Sequence, residues 1–259
     1  MHISYVHTPP RFFYGYSREG TKWDNKFLKL PYSYLINILR LWDYVAAQRP
    51  DYLLSNSQEV QKRIQKFYNR NSTIIYPPVQ TDIKAKKLEV PFKDYYIAIG
   101  RLSKYKNFDK IINCITQAKM NLVIVGTGFE EENLKQMSIS NIYFAGSITD
   151  SEKNYLVQGS KGLINAVQDE DFGIVPVEAH ANGIPVLAHN SGGHKETIKQ
   201  GFNGMLFDEL TPHVLQEFDT NINKGLYNSI KIIEESKKYS KQRFITEFKK
   251  FVEYKWKEH

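Results

Sequence analysis

Two glutamates in one short stretch have a spacing that could serve binding or catalysis. Glu170 and Glu178 stand eight positions apart in DEDFGIVPVEAHANGIPV, residues 169–186, with a Phe-Gly pair between them. Pro176 suits the first turn of a helix and Gly183 its end, so the sequence predicts a short helix with Glu178 in its first turn. Carboxylates accept hydrogen bonds from the paired hydroxyls of sugars and ribose. The corner between loop and helix could therefore hold one polyol group at each glutamate.

The backbone of this corner is suited to a ligand as well. Gly173 would let the chain approach a bound group closely, and the N–H groups of residues 173–177 would be free to meet an anion or a sugar hydroxyl. A simpler interpretation stays open, in which Glu178 only favours the helix dipole and Glu170 is an ordinary surface residue. The residues alone do not decide between the two.

Two loops upstream could hold a nucleotide. Arg101 and Lys106 in GRLSKYKN follow an apolar run and precede a helical pattern, which would place two cations beside a helix N-terminus, a setting that attracts a diphosphate. The alternative is a pair of surface cations near an ordinary turn. The loop GTGFEEE begins like a dinucleotide-binding loop, but Glu131 stands where the third glycine belongs. We therefore expect only a tight turn beneath a bound nucleotide at Gly126.

Signals for metal, redox or nucleic-acid chemistry are weak. Asp169 and Asp171 form an Asp-x-Asp pair, but a metal-binding transferase of that kind needs a different fold context. The sequence contains neither a zinc-ligand spacing nor a nucleic-acid-binding motif. The single cysteine, Cys114, lies on an apolar helix face, so we expect it to be buried filler in a chain without disulfides, which agrees with a reducing compartment.

Composition and charge limit the classes of possible partner. The 259 residues are 41% hydrophobic and 24% charged, which predicts a water-soluble globule. No apolar run approaches the roughly 18 residues of a membrane span, and the first residues lack the apolar middle of a secretory signal. A net charge of +7 could attract nucleic acid, anionic lipid or anionic small substrates. Lysine-rich patches such as KAKK are interpreted first as solvated surfaces, and second as contacts with an acidic membrane surface.

From residue 50 onward, short apolar runs alternate with helical patterns. Strands are predicted at 51–55, 72–79, 95–100, 121–126, 141–146, 162–167 and 184–190. Such alternation predicts a parallel sheet covered on both faces, which binds ligands beyond the carboxyl ends of its strands.

Three local details complete the predicted elements. Asn56 could cap the helix that follows the first of these strands, with Glu59 in capping-box position. The polar stretch 80–93 looks like a linker. The Asn-Gly pair in GFNGMLFD, residues 201–208, predicts a turn between two short strands.

The loops, taken in order, resemble the donor-binding half of family 4 glycosyltransferases. The segments that carry the resemblance are IAIGRLSKYKN, LVIVGTGFEEENLK, IYFAGSITDSEKNYL, EDFGIVPVEAHANGIPVLAHNSGGHKET and GFNGMLFD, within residues 95–208. Upstream, YVHTPPRFFYGY, LWDYVAAQRPDYLLSNSQEVQKRI and IIYPPV resemble the end of the acceptor-side domain, most like mannosyltransferases of bacterial surface-polysaccharide assembly. The resemblance implies an α/β fold of the GT-B type, with a complete Rossmann-like C-terminal donor domain and an incomplete N-terminal Rossmann-like acceptor domain.

The resemblance also implies roles for individual residues. Arg101 and Lys106 would hold the donor diphosphate, Glu178 the ribose hydroxyls and Glu170 the transferred sugar. The implied catalytic positions are His7 and Glu170, and the implied donor-binding positions are Arg101, Lys106, Gly126, Ser147, Ile148, Phe172, Gly173, Ile174 and Glu178. Phe172 and Gly173 would act through backbone groups. No metal ion or other cofactor is implied, because the two cations and helix N-terminal amides would meet the charge of the leaving group.

Two of these positions lie away from the glutamate stretch. The loop around Ser147 and Ile148 would lie near the base. His7 falls where the family places a histidine close to the reaction centre, although it could also be a simple turn residue in a Pro-rich loop.

The beginning of the chain departs from the family. The first domain of relatives starts well before HTPPR, with a strand and a Gly-rich loop that faces the donor phosphates. We therefore expect a partial acceptor-side domain at 1–80 with about two strands and an exposed edge, a nucleotide-sugar-binding domain at 81–235, and a helix at 236–259 that returns toward the first domain. An alternative start, a split gene or a degraded remnant would each explain this, and a separately encoded N-terminal segment is an expected partner.

The resulting prediction is a cytoplasmic glycosyltransferase, peripheral at the inner membrane face. It would move a hexose, with mannose as the best guess and GDP-mannose as the donor, to a glycan or lipid-linked acceptor with retention and without a metal. The alternative is a nucleotide-sugar-binding remnant without activity, or one part of a split enzyme. A nucleic-acid-binding protein is a distant third interpretation and would show strongly salt-dependent binding.

Overall fold

The computed structural model describes residues 1–15, 29–80 and 84–258, with the backbone alone for residues 29–32. The chain divides into two compact units. The first unit consists of Met1–Pro77 together with Gln242–His259, and the second of Pro78–Lys241. The last residues of the chain thus group with its beginning.

The first unit contains a three-stranded parallel sheet. Its strands are β1 (Ile3–Val6), β2 (Tyr52–Ser55) and β3 (Thr73–Ile74), in the order β1-β2-β3. Its helices are α1 (Arg11–Tyr14), α2 (Lys29–Ala47), α3 (Gln58–Tyr68) and the last helix of the chain, α11 (Lys241–Glu258). The sequence predicted about two strands here, and the additional one is β1. The segment 72–79, predicted as one long strand, pairs with β2 only at its beginning, through Thr73 and Ile74.

The start of α3 differs from the prediction in its capping residue. Ser57, not Asn56, caps the helix: its backbone is extended, and its hydroxyl accepts the Val60 N–H at 3.0 Å. Glu59 therefore lies one position too early for a capping box with the cap, and it pairs instead with Arg63 at 3.1 Å. The helix is held by burial of its apolar face against β2, since Val60 is fully buried.

The second unit is a six-stranded, fully parallel sheet with helices between its strands. The strands are β4 (Tyr96–Ile99), β5 (Leu122–Val125), β6 (Ile142–Gly146), β7 (Gly162–Asn165), β8 (Val186–His189) and β9 (Gly204–Phe207). The helices are α4 (Phe108–Gln117), α5 (Glu131–Gln136), α6 (Asp150–Gln158), α7 (Ile174–Ala181), α8 (His194–Thr197), α9 (Pro212–Asn223) and α10 (Ser229–Ser236). The predicted parallel sheet is confirmed.

The strand order of this sheet places a ligand-binding crevice. The order is β6-β5-β4-β7-β8-β9, so the direction of winding reverses between β4 and β7. Loops that leave neighbouring strands in opposite directions open a crevice at that point, outside the carboxyl ends of the strands. The loops after β4 and β7 are the ones that carry GRLSKYKN and the glutamate stretch.

Two apolar layers cover the sheet, one on each face. Ile112 and Ile124 belong to one layer, and Val123 and Leu163 to the other. Cys114 is 7% exposed, and its thiol donates a hydrogen bond to the Leu210 carbonyl at 3.1 Å. The expectation that this cysteine is buried filler is confirmed.

The predicted Asn-Gly hairpin is wrong. The segment forms one strand, β9, which pairs in parallel with β8. Asn203 is 2% exposed because its side chain serves the loop before the strand: its carbonyl oxygen accepts the Lys199 N–H at 2.7 Å, and its amide donates to the Thr197 carbonyl at 3.0 Å. The Asn-Gly dipeptide stabilises the loop that leads into β9 and does not join two strands.

The described part of the predicted linker, residues 84–93, is packed against the second unit. Leu88, Val90 and Phe92 are half-buried on one of its apolar layers. Lys86 adds a backbone hydrogen bond to Ser151 at 3.0 Å. Polar composition predicted a linker, whereas its alternate apolar side chains pack against the core of the second unit.

Candidate functional site

A charged pair joins the two loops at the crevice between β4 and β7. Lys106 Nζ lies 3.1 Å from Glu170 Oε2, and both side chains are about four-fifths buried, with 18% and 19% exposure. A second contact ties the same loops, because Asn107 Nδ2 donates to the Ala166 carbonyl at 2.8 Å. The structure thus brings together one predicted phosphate-binding cation and one predicted sugar-binding carboxylate.

The helix after this loop begins earlier than predicted. Gly173 (φ 89°) precedes α7, which starts at Ile174, and Pro176 is its third residue. A proline there costs no helical hydrogen bond, since the first four N–H groups of a helix have no intrahelical acceptor. Glu178 is therefore the fifth residue, beyond the first turn in which it was predicted, and that turn contains no acidic residue.

The earlier start also reduces the predicted run of free N–H groups. The Val177 N–H donates to the Gly173 carbonyl at 3.4 Å, and Pro176 has none. Only the beginning of the predicted run, 173–177, can therefore offer donors to a ligand. Ile174 is half-exposed at this end of the helix.

Lys153 holds Glu178, a contact that sequence analysis missed. The ammonium on α6 lies 3.1 Å from both carboxylate oxygens of Glu178 and 3.2 Å from Asp150 Oδ1. Burial lowers the pKa of Lys153, but the two carboxylates outweigh this effect and leave it above its ordinary value. The predicted ribose-binding carboxylate is thus fixed in orientation by a neighbouring helix. Only the capping box that positions α6, Thr149 with Glu152, was readable in part from the sequence.

Glycines allow the loops around the crevice to lie directly on one another. A Cβ at Gly126 would stand 2.0 Å from the Gly100 carbonyl oxygen, and a Cβ at Gly192 would stand 2.3 Å from the Glu170 carbonyl oxygen. Contacts of that length are impossible for carbon, so only glycine fits at either position. Gly126 therefore supports the loop of Arg101 from below, and the loop after β8 supports Glu170.

Behind Glu170 lies a buried histidine that was not predicted. His194 is fully buried, and its Nδ1–H donates to the His189 carbonyl at 3.0 Å. Its Nε2 has no hydrogen-bond partner within the described residues. Burial lowers the pKa of His194, although the Glu170 charge acts in the opposite direction, so the ring is neutral at pH 7.

The remaining predicted donor-binding side chains differ in accessibility. Arg101 is exposed at the end of β4, and its guanidinium makes no hydrogen bond or ion pair within the described residues. Ser147 is exposed after β6, and Ile148 is half-buried on an apolar layer. Phe172 is 2% exposed and meets the Tyr239 ring edge-on at 5.3 Å, so only its backbone is available to a ligand.

His7 belongs to the first unit. It follows β1, is exposed, and meets the ring of Tyr5 edge-on with 5.2 Å between ring centroids. This position is at the carboxyl end of a parallel strand, where such sheets place functional side chains.

Metal ligands and membrane spans were also sought. Within residues 1–15, 29–80 and 84–258, no group of three or more His, Cys, Asp or Glu side chains could hold a metal ion. Of the helices that the structure describes, none combines the length and the apolarity that a bilayer crossing requires.

Comparisons with known proteins identify relatives of this chain. The sequence profile of glycosyl transferases group 1 matches residues 79–244. The α-1,3/1,6-mannosyltransferase ALG2 of Candida glabrata is 25% identical over 232 residues, which cover 69% of this chain and 49% of that protein. An uncharacterized glycosyltransferase of Haemophilus influenzae is 28% identical over 183 residues, which cover 65% of this chain and 50% of that protein. The chain thus spans about half the length of these curated relatives.

Solved structures share the fold at low sequence identity. HepE of Anabaena, solved in complex with UDP, superposes with a TM-score of 0.76 at 17% identity, over 97% of this chain and 71% of that chain. The lipopolysaccharide outer core galactosyltransferase WaaB superposes with a TM-score of 0.65 at 19% identity, over 80% of this chain and 62% of that chain. The profile match covers more than half of the sequence and includes both loops of the crevice. The chain therefore belongs to the glycosyl transferases group 1 family, and its fold is of the GT-B type.

Proposed function

We propose that the protein transfers a hexosyl group from a nucleoside-diphosphate sugar to a glycan or lipid-linked acceptor. The observation that carries this proposal is the pair Lys106–Glu170, which places a cation and a carboxylate side by side at the crevice between β4 and β7, where the direction of winding reverses. A sugar diphosphate presents an anion next to hydroxyl groups. One ammonium and one carboxylate that lie together match that order of groups.

Each part of the donor has a proposed set of partners. Arg101 and Lys106 hold the diphosphate, together with the first N–H groups of α7, the helix that follows Glu170 in the chain. Glu178, oriented by Lys153, accepts the two ribose hydroxyls. Glu170 accepts hydroxyls of the transferred sugar, and the backbone of Phe172, Gly173 and Ile174 completes that end. Further donor-binding positions are Gly126, beneath the loop of Arg101, and Ser147 and Ile148, near the base.

The proposed chemistry retains the configuration of the sugar and uses no metal ion. The acceptor oxygen attacks the anomeric carbon from the face that the diphosphate leaves, the bond between that carbon and the phosphate oxygen breaks, and the departing phosphate takes the proton of the acceptor hydroxyl. Positive charge at the phosphate stabilises the leaving group. Glu170 acts here by holding the sugar and forms no covalent bond. His7 is proposed to lie close to the reacting groups.

The finer identity of the substrates is proposed from the relatives. Mannose as the sugar follows the mannosyltransferases among them, such as ALG2 of Candida glabrata, and guanine as the base follows from mannose. The net charge of +7 suits an acceptor presented at an anionic inner membrane face. We assign donor binding to residues 81–235 and acceptor binding to residues 1–80, with the helix at 236–259 returning toward the N-terminal domain.

A second candidate function is nucleotide-sugar binding without transfer, or with transfer only beside a separate segment. The donor site that supports the first candidate, centred on Lys106 and Glu170, lies within the second unit and supports this candidate equally. Both candidates predict the same donor site. They differ in whether this chain alone transfers sugar to an acceptor.

A panel of nucleotides tests the donor site. Thermal unfolding is measured with GDP, UDP, ADP and CMP and with their sugar conjugates. Saturation at about 100 times Kd stabilises a protein by about 2.7 kcal/mol, which corresponds to several degrees in Tm. We expect one base to stabilise the chain and Arg101→Ala or Lys106→Ala to abolish the shift. Lys110→Ala, an exposed lysine on α4, is the matched control. A cooperative transition that no nucleotide shifts would contradict the donor site.

A further inference from the structure

Asn56 is a buried polar residue whose side-chain oxygen the fold does not use. It follows the carboxyl end of β2 and is 6% exposed, yet its carbonyl oxygen has no hydrogen-bond partner within the part of the chain that the structure describes. The sequence predicted that Asn56 caps α3, but Ser57 takes that role. A buried acceptor without a donor lowers the stability of a protein, so folding alone does not account for an asparagine here.

The register of the first sheet places Asn56 beside His7. Val6 pairs with Ser55 at the ends of β1 and β2. One position further along each strand, His7 therefore stands beside Asn56. The chain stays extended beyond β2, since Ser57 has φ −163° and ψ 166°. The two side chains thus leave neighbouring strand ends on the same face of the sheet, at the edge where parallel sheets bind ligands.

The loop that carries His7 is held in place by the fold. The ring of Tyr5, two residues earlier on β1, meets the His7 ring edge-on with 5.2 Å between centroids. From α3, Arg63 Nη1 donates to Thr8 Oγ1 at 3.3 Å, and Arg63 is 2% exposed. His7 itself remains exposed. A ligand that reaches His7 therefore meets an ordered strand end.

The chemistry of the two side chains favours a hydroxyl group as their ligand. The carbonyl oxygen of an asparagine only accepts hydrogen bonds, so its partner must carry a hydrogen to donate. A fully ionised phosphate has none. A cation would lack a free carboxylate, because Glu59, the nearest acidic residue in the chain, is paired with Arg63 at 3.1 Å. A sugar hydroxyl can donate to the oxygen and also accept from an imidazole N–H.

We propose that Asn56 binds a hydroxyl group of a pyranose acceptor, with His7 as its neighbour in the same subsite. The inference rests on the proposed function and deepens it, because it names a residue that selects the acceptor. The bound hydroxyl is one that does not react, since the reacting hydroxyl gives its proton to the departing phosphate. The χ2 angle of asparagine is broad, so the amide can turn its oxygen toward the arriving hydroxyl. The acceptor then supplies the partner that the fold does not.

The test uses the full chain and stated probes. Methyl α-D-mannopyranoside, methyl α-D-glucopyranoside and methyl α-D-galactopyranoside are titrated without nucleotide, and the side-chain signals of Asn56 and His7 are followed by NMR spectroscopy. We expect at least one of these pyranosides to shift both signals. Asn56→Leu, a change of similar volume, should weaken the binding of that pyranoside about 10-fold, the loss expected for one hydrogen bond.

Monodeoxy analogues of the bound pyranoside identify the hydroxyl. Removal of one hydroxyl should weaken binding to the wild type about 10-fold, as the loss of Asn56 does. Asn56→Leu should bind that analogue and the parent pyranoside equally, because the partner of the missing hydroxyl is already gone. A residue with a merely structural role would not change which hydroxyl matters.

Ser55→Ala is the matched control. Ser55 is fully buried at the end of the same strand, and its hydroxyl likewise has no partner among the described residues. It lies on the opposite face of the sheet, two residues from Leu53, which packs in the apolar cluster under α3. Both variants remove a buried polar group that lacks a partner, so the Tm of each should be equal to or higher than that of the wild type. Only Asn56→Leu should weaken pyranoside binding.

Three results would overturn the assignment. The first is the absence of a shift with all of the pyranosides. The second is equal binding by the wild type and Asn56→Leu, which would indicate that the oxygen holds an ordered water. The third is a marked fall in the Tm of Asn56→Leu alone, which would show that the amide serves the fold. Stabilisation by a nucleotide, measured separately without pyranoside, reports on the donor site in the second unit, so failure of this subsite and failure of the donor site are distinguishable.

Discussion

The ammonium of Lys106 and the carboxylate of Glu170 lie 3.1 Å apart and connect the loops that leave β4 and β7 in opposite directions. In the absence of a donor, each group neutralises the other. A bound sugar diphosphate would contact both groups. Its phosphate would pair with the ammonium of Lys106, and its hydroxyls would donate to the carboxylate of Glu170. The pair therefore keeps both groups in place before the ligand arrives.

Removal of Lys106 and removal of Glu170 should weaken the binding of different parts of the donor. Lys106→Met should weaken binding of GDP or UDP about 10-fold or more, because a hydrogen bond to a charged group contributes roughly 1.5–3 kcal/mol. Glu170→Gln should leave nucleoside-diphosphate affinity equal or higher, since the lysine is released, but should reduce the affinity for the sugar conjugate. Isothermal titration calorimetry measures both. Equal effects of the two variants on nucleotide and conjugate would contradict the separate roles.

Glu178 should discriminate ribose from deoxyribose. We expect the wild type to bind a ribonucleoside diphosphate more tightly than its 2′-deoxy analogue, and Glu178→Ala to bind both with the same lower affinity. Lys153→Met should retain discrimination but weaken binding several-fold, because the carboxylate loses the partner that orients it at 3.1 Å. Lys199→Met, at an exposed lysine paired with Glu235, is the matched control. Undiminished discrimination in Glu178→Ala would refute the ribose contact.

Gly126→Ala should destabilise the second unit severely. The added carbon would stand 2.0 Å from the Gly100 carbonyl oxygen, so the backbone of one loop must move. We expect a loss of roughly 3 kcal/mol or more, as in overpacked cores. Gly201→Ala is the control: it also has a positive φ, +73°, but meets open space, so only about 1–2 kcal/mol of backbone strain applies. Urea unfolding measures both, and equal losses would show that the close approach carries no cost.

His180 should make stability depend on pH in the acidic range. The side chain is buried on α7, and its Nε2–H donates to the Asn203 carbonyl at 3.0 Å. Burial lowers the pKa of His180 to about 4, from 6.5 in the unfolded chain. Because the unfolded state takes up the proton first, the free energy of unfolding should fall as pH drops from 6.5 to 4, by roughly 3 kcal/mol in total.

His180→Asn isolates this contribution. The slope of the free energy of unfolding against pH should decrease by about 1.4 kcal/mol per pH unit between 6.5 and 4 relative to the wild type. His194 and His189, whose pKa values burial also lowers, remain in both proteins and cancel in the difference. Identical slopes in the two proteins would show that His180 is not held neutral by the fold.

The sequence predicted the sheet well because apolar periodicity is a local signal. The strands β4 to β8 begin and end within a few residues of their predicted bounds, and short parallel strands buried on both faces are distinctive. The alternation of strand and helix then fixed which loops lie at the carboxyl ends. Lys106 and Glu170 could be placed in those loops, although 64 positions separate them and no periodicity predicts their contact.

The sequence predictions were wrong or incomplete where the structure depends on contacts between distant parts of the chain. Asn203 looked like a hairpin residue because Asn-Gly favours tight turns, yet its side chain binds the loop at Thr197 and Lys199. Glu178 looked like a first-turn residue because proline commonly begins helices, yet Gly173 with its positive φ opens this helix earlier. Lys153 was overlooked because nothing in α6 marks the one lysine that reaches a neighbouring helix. Such contacts depend on tertiary geometry that a single sequence does not encode locally.

The close contacts between glycines of one loop and carbonyl groups of the next have an evolutionary consequence. Gly126 rests against Gly100, and Gly192 against Glu170, at separations that no other residue type allows. One of these loops cannot be reshaped without disturbing its neighbour, so we expect selection against single substitutions there. Change should accumulate instead at exposed residues, such as Ser147 or the 96%-exposed Phe129. Substitutions that change substrate preference should then occur at the exposed edge of the crevice, while the glycines at its base stay unchanged.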